Sequence, residues 1–82
     1  MRELPMLTEW MRDGVDIDPM VCEEPMRLWN AWAGYCVDRG YPQYPRWNGV
    51  RVMSEALRAA GYERRRYRGR RVFVGLRVRP AG

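Results

Sequence analysis

Apolar residues recur along this chain at two periods, and the change from one to the other divides it. Leu4, Leu7 and Met11, with Met6 and Trp10 beside them, fall at helical spacing, and Pro5 suits a first turn. That spacing predicts a short amphipathic helix over 4–12, ended by Asp13-Gly14. Val15-Asp16-Ile17-Asp18 then alternates apolar and polar, as a short edge strand does, until Pro19 interrupts it. Helical spacing returns after Pro25 with Met26, Leu28, Trp29, Trp32, Ala33, Tyr35, Cys36 and Val37, and Gly40 supplies the stop. Glu23-Glu24 before Pro25 place negative charge at the positive end of this second helix. The two prolines in Gly40-Tyr41-Pro42-Gln43-Tyr44-Pro45 require an extended loop.

A third helix is predicted over 48–60. Asn48 is its natural cap, Trp47 can staple against Val52, and Gly61 closes it. Val50, Met53, Ala56, Leu57 and Ala60 form its buried stripe, so Arg51, Ser54, Glu55 and Arg58 point outward. Beyond Gly61 the period falls to two. Residues 62–67 and 71–78 read as strands around a glycine-containing turn, with Tyr67-Arg68-Gly69-Arg70-Arg71 at the tip. Val72, Val74, Leu76 and Val78 should pack on the helices, leaving Arg71, Phe73, Gly75, Arg77 and Arg79 on the other face. Loops of two, three or four residues all fit, so the register is open. The expectation is an α+β fold in one domain over residues 1–82: a winged helix-turn-helix, three helices with a C-terminal β-hairpin wing.

Charge sharpens this picture. Residues 1–45 carry four arginines against eight acids, a net of −4, while residues 46–82 carry eleven arginines against Glu55 and Glu63, a net of +9. An acidic half joined to a strongly basic one implies a polyanionic partner for one face. All fifteen basic residues are arginine, whose planar fork suits phosphate oxygens and guanine edges. Six of them, Arg64, Arg65, Arg66, Arg68, Arg70 and Arg71, lie within eight positions of the hairpin. Charge on an edge strand blocks aggregation, but one or two charges suffice for that, and six repel one another unless an anion neutralises them.

Catalysis finds few candidates. The chain has no histidine and no lysine, one serine (Ser54) and one threonine (Thr8), and no glycine-rich phosphate loop. Cys22 and Cys36 have no metal-binding spacing and are expected as thiols in a reducing cytoplasm, Cys36 in the core. Asp16, Asp18, Glu23 and Glu24 read better as a solvated acidic surface than as a metal site. The expectation is therefore a non-enzyme without metal or cofactor, cytoplasmic, in a bacterial or phage-infected host, with no membrane span or signal peptide. Trp29, Trp32 and Tyr35 are expected in the core, with Tyr41, Tyr44 and Trp47 covering the helix junction.

The run Leu28-Trp29-Asn30-Ala31-Trp32, Gly40, residues Met53 to Tyr62 and residues Arg68 to Leu76 together resemble the C-terminal winged-helix domain of phage and plasmid primase–helicases. Trp29 and Trp32, Leu57 and Gly61, and Gly75 and Leu76 occupy the positions of that family's aromatic, helix-end and hairpin motifs, and the likeness runs from about residue 7 to 78. It implies a winged helix that binds DNA, either excised from a larger protein or standing alone, and carries no catalytic residue with it. Pro42-Gln43-Tyr44-Pro45 departs from the serine-led start such a recognition helix would have.

The residues expected to meet duplex DNA are Arg46, Asn48, Arg51, Ser54 and Arg58 of the third helix, with Arg64, Arg66, Arg68, Arg70 and Arg71 of the wing. Gly49 and Asn48 would offer backbone amides to a phosphate. The setting implied is phage or mobile-element replication or recombination, as a monomer or loose dimer, with a replication, recombination or host protein as a second partner. Two alternatives stand beside it: an excisionase-type architectural factor, and a phage-encoded module that docks the same basic face on an acidic host protein.

Overall fold

The computed structural model describes residues 6–40 and 46–80, and all of their side chains except those of 46–48. Six elements follow in the order α1 (Leu7–Asp13), β1 (Val15–Glu23), α2 (Pro25–Asp38), α3 (Arg46–Ala59), β2 (Arg64–Tyr67) and β3 (Arg70–Val78). The three strands form one antiparallel sheet in the order β1-β3-β2. The fold is α+β, with three helices on one face of a three-stranded sheet.

The core lies between sheet and helices. Trp10 of α1, Leu28, Trp29, Trp32 and Cys36 of α2, Met53 and Leu57 of α3, and Phe73 and Leu76 of β3 are all buried. Trp29 and Trp32 meet with ring centroids 5.0 Å apart and planes tilted by 38°, an arrangement in which the ring quadrupoles attract. Three tryptophans fill much of the interior of a chain too short to supply many aliphatic layers.

The first strand is longer than its alternation implied. It runs through Pro19 to Glu23, and its pairing with β3 shifts between Ile17 and Cys22. Four residues, 18–21, therefore lie opposite Gly75 alone. The Asp18 carboxylate accepts the Met20 N–H at 2.8 Å, turning the chain locally, and proline sits where it withholds no ladder hydrogen bond.

The predicted facing of β3 is half wrong. Leu76 and Val78 do pack on the helices, but so does Phe73, whereas Val72 and Val74 line the opposite face. The physical reason is Gly75, whose φ of +98° breaks the alternation and moves every position before it to the other side. The Tyr62 ring lies against this glycine, with its edge 3.7 Å from where a Cβ would stand.

Helix α3 begins at Arg46, two residues before the expected cap, so Asn48 sits inside the helix rather than at its cap. The pairing of Trp47 with Val52 falls on an undescribed side chain, and the 41–45 loop and Leu4-Pro5 lie outside the described residues. At its other end α3 closes as expected. Gly61 at φ +99° lets its N–H bond to the Arg58 carbonyl at 3.0 Å and the Tyr62 N–H to the Leu57 carbonyl at 3.0 Å. This paired closure satisfies two terminal carbonyls and fixes the angle at which the hairpin leaves the helix. No helix among the described residues is long and apolar enough to cross a membrane.

Candidate nucleic-acid interface

Strands β2 and β3 pair as Arg64↔Phe73, Arg65↔Val72, Arg66↔Arg71 and Tyr67↔Arg70. Two residues, Arg68 and Gly69, make the turn with φ of +50° and +78°. Positive φ at both positions is the tight turn whose twist matches paired strands, which closes the question of loop length. Directly opposed residues share a face, so Arg64, Arg66 and Arg71 lie on the helix-facing side with Phe73, while Arg65, Tyr67 and Arg70 lie on the other.

On that helix-facing side the end of α3 and the hairpin enclose an open cleft of ≈ 610 Å³. Arg58, Arg64, Arg66 and Arg71 line it together with Tyr62, Glu63 and Arg65. Glu63 is taken by Arg65, which donates to it from Nε at 3.1 Å and from Nη2 at 2.8 Å. Arg58, Arg64, Arg66 and Arg71 have no acidic partner among the described residues. The Arg64 guanidinium lies 5.9 Å from the Phe73 ring centroid, within cation–π range.

The other residues expected to meet DNA sit in different surroundings. Arg51 is exposed on α3 and pairs with Glu55 at 3.4 Å, a helical i,i+4 pair. Arg70 donates to Glu24 at 2.7 Å, and that carboxylate beside it raises its pKa further. Arg68 is exposed at the tip, 5.4 Å from the Tyr67 ring centroid. Two expectations fail. Ser54, placed on the outer face of α3, is buried at 8% exposure, because α3 presents a wider face to the core than its apolar stripe implied. Gly49 offers no open amide: it is buried beneath Trp29, whose ring would come within 2.1 Å of a Cβ there. The side chains of Arg46 and Asn48 lie outside the described residues.

The acids expected as a solvated surface are largely engaged instead. Arg79 donates to Asp16 at 3.0 Å and Arg77 at 3.4 Å, and chiefly the Arg79 hydrogen bond holds the Asp16 carboxyl below its ordinary range. Arg79 also donates to the carbonyls of Asp13 at 2.8 Å and Val15 at 3.2 Å, supplying positive charge where α1 ends. Glu23 accepts the Val78 N–H at 3.0 Å. Asp13 is lowered by its hydrogen bond from Arg12 and then by that from the Tyr35 hydroxyl at 3.1 Å. Burial pushes the Cys36 thiol up, and neither cysteine forms a disulfide. Sequence reasoning missed this clamp, since nothing in the spacing of Asp16, Arg77 and Arg79 announces that β1 pairs with β3.

Comparison of the chain with models of protein families, with curated proteins and with solved structures finds no match in any of the three.

Proposed function

We propose that the protein is a non-catalytic DNA-binding module of the winged-helix type, holding the phosphate backbone of a duplex between the end of α3 and its hairpin. The observation that carries this reading is the facing pair Arg66 and Arg71, flanked by Arg58 and Arg64 in one cleft with no acidic partner among the described residues. Like charges directly opposite one another on a hairpin cost stability, and an external polyanion offsets that cost. The element order, with β1 paired to β3 and the hairpin leaving α3 at a fixed angle, supports the winged-helix assignment.

Arg68 adds to the case. An arginine at φ +50° costs roughly 1 kcal/mol relative to asparagine or glycine, and strain of this kind is retained where the side chain is used. With Ser54 buried and Arg51 paired, Arg58 is left as the helix contact among the described side chains. The wing is the dominant contributor.

Fluorescence anisotropy of a labelled duplex across a salt series tests this. Affinity should fall with salt at a slope matching about four to eight phosphate contacts, and an Arg66→Ala/Arg71→Ala variant should lower the slope by roughly two. If no DNA binds even at low salt the reading fails, and the basic cleft passes to an acidic protein partner.

A further inference from the structure

The hairpin has a second face, turned away from the helices, that the phosphate cleft does not use. A shallow groove of ≈ 400 Å³ runs along it, floored by Val72, Val74 and Cys22, with Met20 and Tyr67 at its side. Tyr67 is 53% exposed although it sits within a paired strand. Arg65 and Arg66 border the same groove, and the Arg68 guanidinium stands 5.4 Å from the Tyr67 ring centroid. Arg65 is engaged by Glu63, while Arg66 and Arg68 have no acidic partner among the described residues. An exposed aromatic ring beside an apolar floor, with cations along the rim, fits a stacked base and its phosphate.

Position narrows the ligand further. Arg66 lines both this groove and the cleft on the opposite face, so the two sites are separated by the thickness of one hairpin. The geometry points to the outer groove as a site for an unpaired nucleotide, its base on Tyr67 and its phosphate on Arg68. The preferred substrate is then a junction, with duplex on the helix side of the wing and single strand on the outer side. This rests on the DNA reading of the cleft.

The test compares a forked duplex with a blunt duplex of equal phosphate count, using the whole chain, Tyr67→Ala and Tyr67→Phe. Thermal melts verify that both variants fold. The unaltered chain and Tyr67→Phe should prefer the fork by about tenfold, the scale of one aromatic–base stack. Tyr67→Ala should lose that preference and keep its affinity for the blunt duplex. Equal binding of fork and blunt duplex by the unaltered chain overturns the outer-groove site and leaves the cleft reading standing. A Tyr67→Ala variant weakened equally on both does the same. Failure to bind either DNA overturns the cleft reading and this one with it.

Discussion

At the scale of single residues, the fold depends on positions whose role is steric rather than chemical. Gly49 is the clearest case. The Trp29 ring occupies the space a Cβ would need, at 2.1 Å from its nearest atom, and that ring is itself locked against Trp32 in the core. Gly49→Ala should therefore destabilise by about 2 kcal/mol or more despite alanine's better helix propensity, because overpacking outweighs the gain of under 1 kcal/mol. Urea melts check this; an unchanged or raised midpoint would refute the packing. Asp16 governs a different variable. Its folded-state pKa is lowered below the ordinary 3.8, so its contribution is fully present above the unfolded value and disappears as pH falls through the folded one. The gap in stability between the unaltered chain and Asp16→Asn should thus be constant from neutral pH down to about pH 5 and close on further acidification. A gap that widened in acid would contradict the sign.

At the scale of elements, the proposed DNA-binding role sets stability against binding in the hairpin. Arg66 faces Arg71, so Arg66→Glu replaces a repulsive cross-strand pair by an attractive one. The variant should gain roughly 0.5–1 kcal/mol in denaturant melts while losing affinity for duplex. Arg68→Asn should likewise raise stability, by roughly 0.5–1 kcal/mol, since asparagine accepts positive φ more readily. Two stabilising substitutions that both weaken binding would mark the wing as shaped for its ligand; a loss of stability in either would point to an unrecognised contact. The helices were legible because their apolar spacing is clean and a glycine follows both α2 and α3, and the hairpin because strand-forming runs flank a glycine-containing turn. What escaped was set by tertiary structure. The parity of β3 turns over at Gly75, and β1 continues past Pro19 because the strand beside it, distant in sequence, accepts the bulge. A period-two pattern carries no mark of either. Within the site, the arginine density of the hairpin was visible, but which arginines are engaged by acids depended on Glu24 coming beside Arg70, 46 positions away.

At the scale of the whole molecule, the two charged halves of the chain interlock rather than separate. The acids of β1 and the start of α2 draw on Arg70, Arg77 and Arg79, and Arg79 also ties the sheet to the end of α1. Arg79→Ala should remove the bonds to Asp16 and to the carbonyls ending α1, at a cost of about 1–2 kcal/mol given its partial exposure, with duplex affinity unchanged. Arg58, Arg64, Arg66 and Arg71 gather in the cleft, where like charges repel one another. On the proposed DNA-binding reading, binding and folding are linked with a definite sign. A duplex at ten times its Kd should stabilise the fold by about 1.4 kcal/mol, which for a domain of this size raises Tm by roughly 5–10 °C. Arg66→Glu should start from a higher Tm without DNA yet show a smaller rise with it, so the two melting curves converge or cross as duplex is added. Parallel curves would mean that the cleft arginines do not hold the ligand, and that any DNA bound by this chain is held elsewhere.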